Sequence, residues 1–318
     1  MLAEISEHLR KKLKVFFLTD ELIFNNKVVP IIQENFEEIK SGDKNGDNTI
    51  AFVDGGQAEI LSGGNLCLSF IRVFAQVMKG KEKVSSRKYE FYVLVMASYK
   101  KGDIWYEGKI FPILGEKLVE EKDLVVCSGD SSIRQGNERA QISIVATMAR
   151  RFAELKIASL VSADYVLLDG TLTATYVNEE KYLGLLSGIG AGALAKSCTL
   201  FTTGGNNPMV LLRKLSPFQG CWSYCIEGNF YFVKLHGQAK HVFRFEGNKK
   251  LFSLLVQNSA DALFLGYPYG LILADKLARV SNAEKNALMA TILLRKENRE
   301  FTDYLNTINA HDILDRMG

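Results

Sequence analysis

Three segments rich in β-branched and aromatic residues follow one another along this chain, with short turns of Gly, Lys and Ser between them. They are IAFVD (50–54), LCLSFIRVFAQVM (66–78) and YEFYVLVMASY (89–99), and DIWYEGKIF (103–111) extends the series. Connections this short join antiparallel neighbours, because a parallel pair needs a crossover of a dozen or more residues. The sequence therefore predicts an antiparallel meander.

The hydrophobic period changes after the meander. From Asn137 to Leu155 the apolar residues recur at helical spacing and predict one face of an amphipathic helix. That face consists of Ile142, Val145, Met148, Ala149, Phe152 and Leu155. A short apolar strand follows in ADYVLLDGTL (163–172). The predicted order is therefore three strands, a helix that carries Glu154, and a strand that ends in Asp169.

Both ends of the chain are predicted to be helical. Residues 1 to 40 mix charged and apolar residues at helical spacing, and helical stretches resume from about residue 270. Between them, NFYFVKLHGQAKHVFRFEG (229–247) predicts a hairpin. No internal repeat and no long linker interrupts the chain, which favours one domain over residues 1–318. We expect a helical arm at 1–45 and a core at 46–318 that includes the hairpin and the C-terminal helices.

Charge and composition narrow the class of protein. The 39 basic and 36 acidic side chains leave a net charge of +3, so any contact with nucleic acid must come from a local basic patch. The longest weakly polar run, LGLLSGIGAGALA (183–195), is shorter than the roughly 20 residues of a membrane span. Five cysteines, an odd number, do not resemble a disulfide framework. We therefore expect a soluble cytoplasmic protein without a membrane segment.

Two aspartates follow apolar strands and precede glycine, in FVDGG (Asp54) and LLDGT (Asp169). Adjacent strand ends can place both carboxylates at one edge of a sheet, and a helix packed over that sheet can add Glu154. Hard oxygen ligands with few histidines suit Mg²⁺ or Mn²⁺ and hydrolysis of a phosphodiester. The alternative is structural: an Asp-Gly pair often forms only a turn, and a helical glutamate often pairs with a nearby arginine.

Two further motifs point to other classes of site. One spacing is close to that of a zinc finger: Cys221, Cys225, His236 and His241. Buried cysteines and histidines on strands would account for the same residues without a metal. The stretch GAGALAKS (190–197) nearly matches a phosphate-binding loop, but Ala195 occupies the last glycine position. We therefore expect no nucleotide cofactor, and zinc stays an open alternative.

Four motifs in this order resemble one family of nucleases. They are IAFVDGG, MARRFAEL leading into ADYVLLDGTL, LAKS, and GYPYGLILAD (266–275). The succession of acids resembles the ribonuclease H-like fold, and the motifs resemble the NurA family of archaeal and bacterial DNA-end-processing nucleases. The resemblance implies an α/β fold with a mixed sheet, in which a parallel strand joins the antiparallel meander. Helices would flank that sheet, with helical additions at both termini.

The resemblance also implies roles for six residues. Asp54, Glu154 and Asp169 match the family's metal-binding acids and would hold Mn²⁺ or Mg²⁺, with two ions expected. Lys196 would hold phosphate or a nucleophilic water, and Tyr267 matches a tyrosine near the active centre. Asp275 stands where the family typically has a histidine. Glu138, at the start of the predicted helix, is an alternative to Glu154.

The function implied is that of a 5′–3′ exonuclease and single-strand endonuclease. It would act on single-stranded DNA or duplex ends during resection of double-strand breaks, as a homodimer docked on a HerA-type hexameric ATPase. Basic groups expected at DNA phosphates are Arg151, Arg213, Lys214, Lys240 and Arg244, or the Lys100–Lys101 pair. Because Asp275 departs from the family pattern, the alternative is a non-catalytic DNA-binding or scaffold subunit of a HerA-type complex.

Overall fold

A computed structural model describes residues 1–15, 21–40, 48–134 and 136–308. The strands in these ranges are β1 (Leu22–Phe24), β2 (Lys27–Val29), β3 (Phe36–Glu38), β4 (Thr49–Gly63), β5 (Leu66–Lys79), β6 (Glu82–Lys100), β7 (Asp103–Leu114), β8 (Val125–Cys127), β9 (Tyr165–Asp169), β10 (Gly190–Ala195), β11 (Trp222–Glu227), β12 (Phe230–Lys234) and β13 (Phe243–Gly247). The helices there are α1 (Leu2–Val15), α2 (Ile144–Leu160), α3 (Glu179–Gly184), α4 (Pro208–Leu215), α5 (Phe252–Asn258), α6 (Tyr269–Ala278), α7 (Asn282–Leu293) and α8 (Arg299–Ile308). Short 3₁₀ turns lie at Gln33–Asn35, Glu121–Leu124, Lys249–Leu251 and Lys296–Asn298.

One large sheet dominates the described part of the chain. Its eleven strands run in the order β3-β11-β12-β13-β10-β9-β4-β5-β6-β7-β8, and β1 and β2 form a separate hairpin. Strands β4 to β7 pair in sequence as antiparallel neighbours, which confirms the predicted meander. Strand β9 lies parallel to both β4 and β10. The predicted mixed α/β sheet is therefore confirmed.

Strand β4 is longer than the sequence indicated. It has fifteen residues, so Asp54 lies inside the strand and not at its end. The prediction that the strand stops at Asp54 is wrong, because Gly55 and Gly56 continue the ladder by pairing with β5. Both glycines are needed for close packing and not for a turn. A Cβ on Gly56 would lie 2.2 Å from the backbone oxygen of Ala278 at the end of α6.

Helix α2 covers one face of the sheet beside β4. All six residues of its predicted apolar face are buried, as expected. The helix begins at Ile144, so residues 137–143 precede it as turns, although the helical pattern was predicted from Asn137. Its apolar face packs with Ala51, Val53, Val166 and Leu168 of β4 and β9. On the other face of the sheet, Phe52 and Leu167 pack with α6.

The predicted helical arm is largely wrong. Only Leu2–Val15 is α-helical, whereas the rest of the described arm contains β1, β2, a 3₁₀ turn and β3. Strand β3 extends the sheet edge by pairing with β11, where Phe36 packs edge-on against Trp222 and Tyr224. Burial of this ring outweighs helix propensity. Residues 16–20 and 41–45 of the predicted arm lie outside the described residues.

The C-terminal half agrees with the sequence. Strands β12 and β13 form the predicted hairpin, and α6, α7 and α8 occupy the region after residue 268. No helix among the described residues is long and apolar enough to cross a membrane. The assignment of residues 1–318 to one domain stays a prediction.

Candidate active site

The two strand aspartates are neighbours in the sheet. The last pair of the parallel β4–β9 ladder is Val53–Leu168, and Asp54 and Asp169 are the next residues of the two strands. In register on adjacent parallel strands, the two carboxylates leave the sheet on the same side. Strand β9 ends at Asp169, and Gly170 turns the chain away with a φ of +112° that favours glycine. The sheet therefore opens where the two acids meet.

Glu154 reaches this opening from α2. Its Oε1 atom lies 2.4 Å from the point where a Cβ on Gly55 would stand, so a side chain at position 55 would collide with it. The Nη1 atom of Arg150 donates to Glu154 Oε1 and to the Gly55 carbonyl oxygen, both at 2.9 Å. Glu138 lies exposed in the turns before α2. Of the two glutamates considered, Glu154 is the one beside the aspartates.

Asp54, Glu154 and Asp169 line one open cleft of about 420 Å³ together with Asp275, Arg150 and Arg151. The remaining walls come from Thr147 on α2 and from the segment after β9. Asp275 lies on α6, where its Oδ2 atom accepts from Arg279 Nη2 at 2.6 Å. The acids that the sequence pattern selected from four separate elements therefore share a single cleft.

Negative charge in this cleft is unfavourable without a cation. Burial, together with the nearby carboxylates of Asp169 and Glu154, raises the pKa of Asp54 to about 8, against the opposing effects of the Gly55 amide and Lys196. Burial also raises the pKa of Glu154, against the lowering effect of Arg150 and Arg151. A bound divalent cation would offset this cost.

Lys196 and Tyr267 complete the wall on the other side of Asp169. Lys196 Nζ lies 2.5 Å from Asp169 Oδ2 and 5.4 Å from the centre of the Tyr267 ring. Burial lowers the pKa of Lys196, but its hydrogen bond to Asp169 and the charges of Asp169, Asp54 and Asp275 outweigh this and raise the pKa. Burial and the same carboxylates raise the pKa of Tyr267, so its hydroxyl stays protonated. That hydroxyl is buried beside Asp169, whose carboxylate contributes to the raised pKa, and it makes no hydrogen bond of good geometry within the described chain.

The carboxylate oxygens of this cleft suit a hard divalent cation, although the side chains are not arranged around a metal position. Carboxylate oxygens are the ligands that Mg²⁺ and Mn²⁺ prefer. Over the ranges that the structure describes, however, no three His, Cys, Asp or Glu side chains form a group arranged to hold a metal. Three of the four acids are engaged with cations of the protein: Glu154 with Arg150, Asp169 with Lys196 and Asp275 with Arg279. A metal ion would have to displace these partners.

Two buried glutamates that the sequence analysis missed hold the loop after β9. Glu179 Oε2 accepts from the backbone amides of Thr175 at 2.8 Å and Tyr176 at 3.0 Å. Glu246 Oε2 accepts from the Leu172 amide at 2.8 Å and from the Thr173 hydroxyl at 3.0 Å. Gly170, Thr171, Thr175 and Tyr176 of this loop line the cleft, so these carboxylates support its wall. The only sequence signal was the acid pair Glu179–Glu180 at the start of a helix.

Arg151, predicted to contact DNA, is also part of this wall. Its Nε atom donates to Glu179 Oε1 at 2.7 Å, and its Nη2 atom donates to the Thr171 carbonyl oxygen at 2.5 Å. The side chain is 12% exposed. Its contacts thus connect α2, the loop and α3 around the acids.

A second cleft, of about 500 Å³, begins at Lys196 and is strongly basic. Four cationic residues line it: Lys196, Arg213, Lys214 and Lys240. Lys196 also bonds Asp169 of the acidic cleft, so it lies between the two clefts. We call this second cleft the basic cleft.

The other basic residues predicted to contact DNA lie outside the basic cleft. Arg244 forms an ion pair with Glu246 and packs over the Phe230 ring at 4.4 Å. Lys100 and Lys101 form the β6–β7 turn, where Lys100 pairs with Glu107. Lys88 of β6 lies directly across the sheet from Asp54, because both residues are in register with Phe74 of β5. Lys100 is twelve residues farther along β6, so at 3.3 Å per residue it lies roughly 40 Å from the acids.

The four zinc-finger-like residues do not form a metal site within the described chain. His241 stacks on Phe264, with ring centres 5.2 Å apart, and the Nδ1 atom of His236 accepts from the Gln238 amide. Cys225 lies on β11, where its thiol faces the Gly228 carbonyl oxygen. Packing and turn formation account for these residues.

No family model and no curated protein matches the sequence. Among solved structures, the NurA nuclease from Sulfolobus solfataricus aligns over 92% of this chain and 93% of its own, with 12% identity and a TM-score of 0.50. Endonuclease V from Ciona intestinalis in complex with a 24mer DNA aligns over 87% and 96%, with 13% identity and a TM-score of 0.36. Endonuclease V from Bacillus subtilis aligns over 86% and 90%, with 12% identity and a TM-score of 0.38. The first of these similarities shows that this chain has the ribonuclease H-like fold of the NurA nuclease.

Proposed function

We propose that this protein is a divalent-metal-dependent DNA nuclease of the NurA type. The observation that carries the proposal is the in-register placement of Asp54 and Asp169 beyond the last β4–β9 pair, with Glu154 in the same cleft. The basic cleft, which meets this site at Lys196, supplies the positive surface that a DNA backbone requires.

Asp54, Asp169 and Glu154 would hold the ions, Mn²⁺ or Mg²⁺ and two in number. Bound there, the ions would neutralise phosphate charge and lower the pKa of an attacking water. Lys196 would hold a phosphate oxygen, because its ammonium group lies between Asp169 and the basic cleft and would be released from Asp169 when a metal ion binds there. Tyr267 holds a buried, protonated hydroxyl beside the acids, where it could donate to Asp169 and help to position that carboxylate.

The finer proposal is 5′–3′ exonuclease and single-strand endonuclease activity on single-stranded DNA or duplex ends. It includes action in double-strand-break resection in the cytoplasm, as a homodimer docked on a HerA-type hexameric ATPase. These points rest on the shared fold and on the motif resemblance. In this proposal Asp275 adds a fourth carboxylate at the cleft, where the family typically has a histidine.

A second candidate function is that of a non-catalytic DNA-binding or scaffold subunit of the same kind of complex. It is favoured by the ion pairs that engage Glu154 and Asp169 and by Asp275 at the histidine position. The two functions differ in whether the acids take part in phosphodiester hydrolysis. A cleavage assay separates them.

The test is cleavage of end-labelled single-stranded DNA with Mn²⁺, with Mg²⁺ and with EDTA. We expect metal-dependent products from the wild type and none from Asp54→Asn or Asp169→Asn. The matched control is Asp164→Asn, because Asp164 bonds Thr49 at the opposite end of the same two strands. Full activity in both site variants would refute the nuclease proposal. A wild type that binds DNA without cleaving it would favour the scaffold.

A further inference from the structure

An exposed aromatic ring lies beside the basic cleft. Phe264, in the segment between α5 and α6, is 42% exposed, and its ring stacks on the exposed His241 with centres 5.2 Å apart and planes 29° apart. His241 is itself a lining residue of the basic cleft, next to Lys240. We call Phe264 and His241 the stacking pair. It presents flat rings at the border of a surface suited to phosphates.

The stacking pair is connected to the acidic cleft by a short series of contacts. The Phe264 ring meets Tyr267 edge-on at 6.2 Å, and Lys196 lies 5.4 Å from the centre of the Tyr267 ring. Lys196 in turn bonds Asp169 at 2.5 Å. Only two side chains therefore separate the exposed ring from the acids. A group bound on Phe264 lies close to whatever is bound in the acidic cleft.

Charge and shape together select the kind of occupant. The cationic residues of the basic cleft are complementary to a chain of phosphates. An aromatic ring accepts the face of a nucleobase, and this contact tolerates any sequence because every base has such a face. In a duplex the base faces are covered by neighbouring base pairs, whereas an unpaired strand exposes them. The combination of ring and charge thus favours a single strand.

We propose that Phe264, supported by His241, stacks an unpaired base of a DNA strand whose phosphates lie along the basic cleft, and that this contact selects single-stranded over duplex DNA at the site. The inference rests on the proposed function for the identity of the polymer as DNA. It assigns the specificity to a ring outside the acidic cleft. Its test needs only binding, so it can fail while the nuclease proposal stands.

The test is equilibrium binding of a fluorescent single-stranded oligonucleotide and of the matching duplex, both in EDTA to prevent cleavage. Loss of one base–aromatic stack predicts that Phe264→Ala weakens single-strand binding about 5- to 150-fold. Duplex binding should stay within about twofold of the wild type, because its base faces are covered. Phe264→Trp, which keeps a flat ring, should restore single-strand binding. An oligonucleotide carrying 2-aminopurine should show quenching that Phe264→Ala loses and Phe264→Trp keeps.

Two controls separate stacking from other effects. Leu263→Ala removes a 69% exposed apolar neighbour from the same loop and should leave both affinities unchanged. Lys240→Ala should weaken single-strand and duplex binding alike and reduce the single-strand salt slope by about 0.7. Equal loss of single-strand and duplex affinity in Phe264→Ala would overturn the inference, and so would unchanged single-strand binding. If Phe264→Ala shows no thermal unfolding transition, that variant is not folded and the Phe264→Trp and 2-aminopurine measurements decide. In those measurements, the absence of quenching with the wild type would overturn the inference.

Discussion

Replacing Asp54 by Asn should stabilise the metal-free protein, and by more as the pH rises. Burial, with Asp169 and Glu154 nearby, raises the pKa of Asp54 from its ordinary value of 3.8 to about 8. Between these two pH values the folded protein holds a proton on Asp54 that the unfolded chain has lost. The free energy of unfolding therefore falls as the pH rises through this window, by up to about 1.4 kcal/mol per pH unit. Asn carries no such proton, so the variant lacks this slope.

The size of the effect follows from the two pKa values. At high pH the full cost of the Asp54 carboxylate is about 6 kcal/mol, and between pH 5 and pH 8 the wild type loses about 3 to 4 kcal/mol relative to Asp54→Asn. The side chain is almost fully buried, so solvent screening does little to reduce this cost. The loss is complete above about pH 8, where both states have released the proton.

Urea unfolding in EDTA at pH 5, 6, 7 and 8 measures the difference directly. Asp164→Asn is the control, because hydrogen bonds from Thr49 lower the pKa of Asp164. A carboxylate with a lowered pKa contributes stability that is lost only in acid, so this variant should follow the wild-type slope above pH 5. Parallel unfolding curves for wild type and Asp54→Asn across the range would show that Asp54 is not a costly buried carboxylate.

Three further substitutions test the walls of the site. Gly55→Ala would place its Cβ 2.4 Å from Glu154 Oε1. We expect the free energy of unfolding in urea to fall by about 1 to 3 kcal/mol and cleavage to be lost. Wild-type stability together with wild-type cleavage would contradict this packing. Glu179→Gln removes the carboxylate charge 2.7 Å from Arg151 and leaves only Glu154, at 4.0 Å. We expect a cost of about 3 kcal/mol by thermal unfolding and slower cleavage, and unchanged activity would show that the loop needs no such support. Gly270→Ala would bring its Cβ within 2.1 Å of the fully buried Phe52 ring and should destabilise by about 3 kcal/mol in urea, and a neutral result would refute the packing of α6 on β4.

The elements with a clear hydrophobic period could be predicted from the sequence. The meander and the face of α2 were visible because burial on one side repeats every two or every three to four residues. Asp54 and Asp169 could be selected because each is a charge at the end of an apolar run. The ribonuclease H-like fold itself was predicted from the resemblance of these motifs, in this order, to the NurA family.

Other features depend on contacts between distant residues. Gly55 and Gly56 look like a turn in the sequence, but they are glycines because α2 and α6 pack directly on β4. Strand β3 of the N-terminal arm forms because the sheet edge at β11 offers Phe36 a place to bury its ring. Glu179 and Glu246 bind loop amides that lie near them only after folding, so no local pattern marks them.

In the proposed function, the acids of β4, β9 and α2 hold a divalent cation between them. Anomalous diffraction from crystals soaked in Mn²⁺ tests it most directly. We predict an anomalous peak between the carboxylates of Asp54 and Asp169, about 2.1 Å from an oxygen of each, with Lys196 moved away from Asp169. Crystals that bind Mn²⁺ only elsewhere, with the Lys196–Asp169 ion pair intact, would contradict the account.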